Sequence, residues 1–230
     1  MDHRGVPNFI LAKEEPEMAK MYQNQAIAEQ NSIDLAWELL METRFSGLRH
    51  TIYSDSTEQQ RFRNLVVNCL LATDIFDKDL KSMREKRWEK AFHSTSMQED
   101  ARVQSNRKAT IVIEHIIQAS DVSHTMQHWH VYQKWNQRLF EEMHKAFVDG
   151  RAENDPTAGW YKGELWFFDN YVIPLAKKLE ECQVFGVSSD EYLLYAQANR
   201  DEWEKKGEKI VQEYAARLKE GDEKRNNEEQ

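Results

Sequence analysis

The sequence predicts an all-α protein that folds as a compact bundle of many helices. Glycine and proline are scarce, at 8 and 4 of 230 residues, and segments that alternate β-branched with polar residues are absent. Apolar residues instead recur at three- and four-residue intervals along most of the chain, which is typical of amphipathic helices. No internal repeat is present, so a bundle is favoured over a solenoid.

The spacing of apolar residues predicts the helices in chain order. They are expected over 17–27, 32–42, 57–74, 78–100, 108–120, 129–148, 164–181 and, as one or two helices, 190–218. Ser56 or Thr57 is the expected cap of the third helix. The stretch 150–163 is predicted to be a loop, and 219–230 a disordered polar tail. The predicted apolar side of 129–148 consists of Val131, Tyr132, Trp135, Leu139, Met143 and Phe147.

Composition excludes several classes of partner. The formal net charge is −9, which argues against a nucleic-acid polymer or an anionic membrane as the main partner. No apolar run approaches the ~18 residues of a membrane span, and the N-terminus lacks the apolar core of a signal peptide. The isolated Cys69 and Cys182 suggest reduced thiols, and the alternative is a single disulfide between them. We expect a cytoplasmic protein, with a membrane-tethered parent left open.

Asp121 is a candidate metal ligand because it ends the most hydrophobic predicted helix. A carboxylate in such a place is costly to desolvate unless a cation or several donors neutralise it. The alternative is that Asp121 caps a helix beginning near Met126. A second metal hypothesis joins Asp121 to His124 and His128, which would share a helical face, while His130 would point away.

Aromatic residues concentrate after the predicted loop and have two interpretations. They form either core or the wall of a pocket for a flat ligand, and core is favoured because aromatics dominate buried area in helical proteins. The group consists of Trp160, Tyr161, Trp166, Phe167, Phe168 and Tyr171. Glu164 stands at the start of the predicted aromatic helix, where it would complement the helix dipole or lie beside the rings.

Several short motifs, in order, carry a family resemblance. The segment from Asp2 to Asn8 resembles the end of the H-D-x-D-H-x-G-x-x-N signature of class I 3′,5′-cyclic-nucleotide phosphodiesterases. Further matches are Met21-Tyr22, Glu29, Leu39-Leu40, Ala72-Thr73-Asp74, Ser120-Asp121-Val122-Ser123, Tyr132 with Trp135, Glu141-Glu142, Phe167-Phe168-Asp169 and Pro174-Leu175. A series of motifs in the same order as in the family, over residues 2–180, identifies the family far more specifically than any single motif.

The resemblance implies an all-α phosphodiesterase-type (HD-superfamily-like) domain that hydrolyses cAMP or cGMP. In that family two divalent metal ions, one zinc-like and one magnesium-like, hold a bridging hydroxide. Matched positions imply that Asp121 is a metal ligand and that Phe167 clamps the purine. They also imply roles near the phosphate and metals for four residues, namely His3, Glu29, Thr73 and Asp74.

The family's upstream H-N-x-x-H segment and leading His-Asp pair are missing from this sequence. Of the usual ligands to the tight metal site only Asp121 remains, and one carboxylate cannot hold zinc. We therefore expect a domain incomplete at its N-terminus, inactive as given. Residues 1–182 are predicted to be this partial catalytic domain, 183–218 a C-terminal helical extension and 219–230 the tail.

Other departures concern the base site. Glu164 falls where the family has a purine-binding glutamine, and an ionised carboxylate only accepts hydrogen bonds, which tilts the expected preference towards cGMP. His124 stands where many relatives have asparagine near the base. Trp166 replaces a small residue and Asn31-Ser32 a histidine pair. The expected partner is a cyclic nucleotide, and a homodimer stays open. The alternatives are a truncated, non-catalytic helical binding or regulatory module, and an unrelated helical scaffold.

Overall fold

The computed structural model describes residues 1–2, 4–75, 77–93, 100–183 and 185–228. Within these ranges the regular structure is helical throughout, as the sequence predicts. Two compact units form, Met1–Asp121 and Val122–Gln230, and each is considered by itself. None of the helices in the described ranges has the length and apolarity needed to cross a membrane.

The first unit contains seven α-helices in the described ranges. They are α1 (Asn8–Glu14), α2 (Pro16–Met21), α3 (Ile27–Met41), α4 (Ser46–Ile52), α5 (Ser56–Leu71), α6 (Lys78–Phe92) and α7 (Ala101–Asp121). Their most deeply buried apolar side chains are Leu11, Ile27, Trp88 and Ile111. Helix α5 begins one residue earlier than predicted, because the Asp55 carboxylate accepts from the backbone N–H groups of Thr57 and Glu58. Asp55, rather than Ser56 or Thr57, is therefore its cap.

The second unit contains four α-helices among its described residues. They are α8 (Trp129–Val148), α9 (Trp160–Phe167), α10 (Ile173–Glu181) and α11 (Glu191–Glu228). Helix α8 has the predicted bounds, but its buried face does not match the prediction. Tyr132, Asn136 and Phe140 are buried, whereas Trp135 and Leu139 are exposed. The prediction followed apolar residues only, and the polar Asn136 lies in the middle of the true inner face.

The boundary between the predicted loop 150–163 and the predicted aromatic helix 164–181 lies earlier in the structure. Helix α9 begins at Trp160, so Glu164 lies in its interior and not in its first turn. The N-terminal dipole therefore does not explain Glu164, because that effect falls off within the first turn. Pro156–Ala158 forms a 3₁₀ turn within the stretch predicted to be loop.

A π-helical turn, Phe168–Val172, separates α9 from α10. Pro174 follows it, and a proline ring clashes with the carbonyl four residues earlier in an α-helix, which a wider turn relieves. The Asn170 side-chain amide donates to the Trp166 carbonyl at 2.9 Å and satisfies a backbone acceptor in this irregular stretch.

Helix α11 continues to Glu228, into the segment for which the sequence predicts a disordered tail. Residues 219–228 are rich in Glu, Lys and Arg, which are good helix formers, so polarity alone does not end a helix there. Helix α11 also belongs to the same compact unit as α8–α10.

Candidate functional site

The implied functional residues fall into two groups, one in each compact unit. Glu29, Thr73, Asp74 and Asp121 belong to the first unit, and His124, Glu164 and Phe167 to the second. His3 lies outside the described residues.

In the first unit, Asn8 brings two of the candidate carboxylates together. Its Nδ2 donates to Glu29 Oε2 at 2.9 Å and to Asp74 Oδ2 at 3.1 Å. Its Oδ1 accepts from the backbone N–H of Ala28 at 2.9 Å. Helix α3 begins after Ala26, which offers no side-chain cap, so Asn8 supplies that missing acceptor from α1. The amide thereby holds Glu29 and Asp74 beside the start of α3.

The segment that carries Thr73 and Asp74 is fixed by its own hydrogen bonds. Thr73 Oγ1 donates to the Leu70 carbonyl at 2.7 Å, so its hydroxyl closes the end of α5. Asp74 is buried, and its backbone carbonyl accepts from Arg84 Nη2 at 3.1 Å. Gln118 Nε2 on α7 donates to the Ala72 carbonyl at 2.9 Å. These contacts place the Asp74 carboxylate rigidly next to Asn8.

Asp121 is the last residue of α7, as predicted, and it is exposed. The desolvation cost that motivated its selection is therefore small. The capping alternative is wrong, since His128 precedes α8 at its cap position and Val122 precedes the 3₁₀ turn Ser123–Met126.

A two-metal centre does not fit the residues that the structure describes. No three His, Cys, Asp or Glu side chains among them gather to hold a metal ion. The amide of Asn8 already lies between Glu29 and Asp74 and donates a hydrogen bond to each carboxylate. The alternative site on His124 and His128 is also not assembled, and the ring of His128 lies against that of His130, with centroids 5.8 Å apart, rather than away from it.

In the second unit, Glu164 stands at the end of a directional chain of hydrogen bonds. Trp160 Nε1 donates to Asn136 Oδ1 at 3.2 Å. Asn136 Nδ2 donates to Tyr132 Oη at 3.3 Å, and Tyr132 Oη donates to Glu164 Oε2 at 2.7 Å. An indole N–H can only donate, so it fixes the orientation of the Asn136 amide, which in turn leaves the Tyr132 proton for Glu164.

This network sets the electrostatics of Glu164 and Tyr132. Burial raises the pKa of the Glu164 carboxyl, while hydrogen bonds from Tyr132 and Asn136 lower it by a smaller amount. Burial and the neighbouring Glu164 raise the pKa of Tyr132 well above its usual value, so Tyr132 stays a donor at neutral pH. Glu164 thus accepts hydrogen bonds from Tyr132 and Asn136, which hold its carboxylate in place.

Of the two further candidates for the base site, His124 lies close to this network. The ring of His124 lies parallel to that of Tyr132, with centroids 6.5 Å apart, and burial lowers the pKa of His124. Phe168 is fully buried with its ring 5.2 Å from that of Tyr132. The half-buried Phe167 stacks on Tyr171 at 5.2 Å. The core interpretation of the aromatic group therefore holds for Phe168, whereas Trp166 is exposed.

Sequence reasoning missed Asn136 as a part of this site, and it included Trp160 only as a member of the aromatic group. Asn136 lies four residues after Tyr132 and four before Phe140, so helical spacing alone would have placed it on the same face. For Trp160 the available signal was weaker. A buried indole N–H needs a hydrogen-bond partner, but the sequence does not say which residue that partner is.

The fold resembles solved phosphodiesterase domains from the choanoflagellate Salpingoeca rosetta. The phosphodiesterase domain of the RhoPDE fusion protein superposes with a TM-score of 0.67 at 21% identity, covering 94% of this chain and 66% of that one. The phosphodiesterase domain of the rhodopsin phosphodiesterase gives 0.68 at 20% identity, covering 96% and 65%. These likenesses define the class of fold, an all-helical phosphodiesterase-type domain.

The sequence comparisons place the chain within that class. It belongs to the 3′,5′-cyclic nucleotide phosphodiesterase family, whose model matches residues 1–185. It is 23% identical over 214 residues to the probable 3′,5′-cyclic phosphodiesterase pde-3 of Caenorhabditis elegans, covering 88% of this chain. It is 29% identical over 147 residues to the probable 3′,5′-cyclic-AMP phosphodiesterase pde-4 of the same organism, covering 62%. The matched regions span 30% and 20% of those two proteins.

Proposed function

We propose that this chain carries the purine-binding part of a 3′,5′-cyclic-nucleotide phosphodiesterase. The complete catalytic domain would hydrolyse cAMP or cGMP to 5′-monophosphates, in cyclic-nucleotide signalling. The second unit would bind the base through Glu164, with Phe167 against the face of the purine and His124 beside it. A cytoplasmic location and a homodimer remain predictions.

One observation supports this proposal above the others, the 2.7 Å hydrogen bond from Tyr132 to Glu164. It fixes the carboxylate as an acceptor, and an ionised carboxylate has more lone pairs than Tyr132 and Asn136 use, which leaves acceptor capacity for a ligand. An ionised carboxylate accepts from the adjacent N1–H and N2–H donors of guanine, whereas adenine pairs one donor with one acceptor. We therefore infer a preference for cGMP over cAMP.

In the first unit, Asn8, Glu29 and Asp74 would form a polar, negatively charged cluster whose geometry is held by the Asn8 amide. Since the described residues do not assemble a metal centre, no hydrolytic step is assigned to them. We propose that this chain by itself binds cyclic nucleotide without hydrolysing it. That behaviour would also suit a non-catalytic binding module.

Two measurements test the function. Hydrolysis of cAMP and cGMP, with zinc and magnesium supplied, would be compared between this chain and the product of an upstream-extended reading frame. Turnover by the extended product alone is the expected outcome, and turnover by the chain itself would contradict the assignment. Absence of turnover by both, with cGMP binding retained, would favour the binding module.

The base preference has its own test in the Glu164→Gln variant. Because an amide both donates and accepts, we expect the ratio of cGMP affinity to cAMP affinity to fall by about tenfold, equivalent to one hydrogen-bond difference of about 1.4 kcal/mol. Isothermal titration with each nucleotide measures it, and an unchanged ratio would remove Glu164 from base recognition.

A further inference from the structure

The turn that carries His124 is held by a buried amide on α11, the longest helix of the second unit. Asn199 on α11 has a relative exposure of 2%. Its Nδ2 donates to the Thr125 carbonyl at 2.9 Å and to the Gln127 carbonyl at 2.7 Å. Gln127 is in extended conformation, between the 3₁₀ turn and α8, so its carbonyl has no place in a helical hydrogen-bond pattern. Asn199 therefore fixes the exit of the turn.

The entrance of the turn is fixed by bonds internal to it. Both the backbone N–H and the hydroxyl of Thr125 donate to the Val122 carbonyl, at 2.9 and 2.7 Å. The backbone immediately before and immediately after the turn is thus restrained, and His124 lies between the two restraints. Among the hydrogen bonds between described residues, those that would hold the turn without Asn199 are local, and a turn of four residues has few of those.

Helix α11 repeats this support at intervals of one turn. Tyr195, four residues before Asn199, contacts His128 through a 3.1 Å hydrogen bond between Oη and Nε2. Trp203, four residues after Asn199, is fully buried, with its ring edge-on to that of Tyr132 at 5.8 Å. Its Nε1 donates to the Tyr161 carbonyl on α9 at 3.1 Å. One face of α11 therefore contacts the His124 turn, the start of α8, and α9.

We propose that Asn199 is a positioning residue that sets His124 and the adjoining start of α8 for contact with the purine, so that α11 is part of the base site. Helix α11 lies after residues 1–185, the part of the chain that the family model matches. The proposal rests on the proposed function in one respect, the role of His124 near the base. The placement of the turn by Asn199 stands on the contacts alone.

The test replaces Asn199 by leucine, which is similar in size and has no donor. The matched control is Gln197→Leu, the same loss of an amide at an exposed position on the same helix. The first readout is the pH titration of the His124 imidazole by NMR, assigned with a His124→Gln sample. The second is the affinity for cGMP, measured by isothermal titration.

In Asn199→Leu we expect the His124 ring to become more exposed, and its lowered pKa to return towards the ordinary value for histidine. We also expect affinity for cGMP to drop by about tenfold, as the carbonyls of Thr125 and Gln127 lose their donor. Gln197→Leu should change neither. The Asn199→Gln variant keeps both amide hydrogens on a longer side chain, and its His124 titration should lie closer to the wild type than that of the leucine variant.

A wild-type titration curve for His124 in Asn199→Leu would overturn the proposal. If the leucine variant does not fold, Asn199→Gln decides, since a tenfold loss of cGMP affinity with an unchanged His124 titration would equally overturn it. If the wild-type chain binds no cyclic nucleotide, the proposed function fails, and the base-site role of Asn199 fails with it. The His124 titration would then still decide whether Asn199 positions the turn.

Discussion

At the scale of single residues, the direction of hydrogen bonding determines that Glu164 acts as an acceptor. The indole N–H of Trp160 can only donate, so the orientation of the Asn136 amide is fixed. Asn136 then donates to the Tyr132 hydroxyl, and the Tyr132 hydroxyl donates to Glu164. A glutamine at the same place would keep both a donor and an acceptor. The carboxylate has only acceptors as long as it is ionised, so the proposed base preference depends on its protonation state.

The preference for guanine over adenine should therefore depend on pH. Because burial raises the pKa of Glu164, its carboxyl begins to protonate at a higher pH than an exposed glutamate. The protonated acid regains a donor, so the ratio of cGMP to cAMP affinity should decrease as pH falls from about 7.5 to about 5.5. Isothermal titration with both nucleotides across this range measures the change.

The other titratable groups near Glu164 are two tyrosines, which stay neutral in this pH range, and His124, whose pKa is lowered. Tyr132 on α8 and Tyr214 on α11 both have raised pKa values, so they remain neutral. His124 has a lowered pKa and gains its charge only as the pH falls. The control is Glu164→Gln, which retains His124. A ratio that falls as steeply in this variant would assign the pH dependence to the histidine instead.

At the scale of helices, the bounds of α8 were predictable from the sequence and its buried face was not. The bounds of α8 follow directly from apolar spacing, yet its inner face includes Asn136, which a search for apolar residues passes over. Asn199 could not be found by any local pattern, because its partners are carbonyls 74 and 72 residues away in the chain. A polar side chain is buried where a hydrogen-bond partner satisfies it, and a partner distant in the sequence is identified only from the folded structure.

Packing between α11 and α9 depends on the absence of a side chain at Gly207. A Cβ there would lie 2.8 Å from Trp203 Cε2 and 2.8 Å from Tyr161 Cδ2. Both are atoms of large rings that hydrogen bonds hold in place. We expect Gly207→Ala to lower the free energy of unfolding by about 1–3 kcal/mol, as measured by urea denaturation.

Gly163 supplies the comparison for this prediction. It lies within α9, and a Cβ there would meet nothing within 4 Å. Gly163→Ala should raise the free energy of unfolding by about 0.5–1 kcal/mol, because alanine loses less backbone entropy in a helix. Equal and stabilising effects of the two substitutions would show that the Trp203 and Tyr161 rings move aside freely.

At the scale of the whole molecule, the charge of the chain opposes its proposed ligand. A net charge of −9 repels a singly charged anionic nucleotide over roughly the Debye length, about 10 Å at 0.1 M salt. The fold class could be inferred from composition and periodicity. The two compact units could not, since a boundary at Asp121 falls inside an ordered series of motifs and carries no glycine- or proline-rich linker.

Affinity for cGMP should consequently increase with ionic strength. We expect Kd to fall by about twofold between about 10 mM and about 150 mM sodium chloride, since salt screens the repulsion. Guanosine is the matched control because it has the same base and no charge, and its affinity should not change. A Kd for cGMP that rises with salt would instead indicate a local basic surface at the binding site.

The π-helical turn Phe168–Val172 has a consequence for how the second unit can vary. A residue added to an α-helix rotates everything after it by about 100°, so the wide turn puts α9 and α10 out of phase with each other. Upstream of it, Glu164 points at Tyr132, and downstream Leu175, Ala176 and Leu179 are buried. Removing one residue from the turn would make α9 and α10 one continuous helix. Either Glu164 on α9 or the buried residues of α10 would then rotate away from their present contacts. The register of α9, which carries Glu164, is thereby set separately from that of α10, which packs in the core.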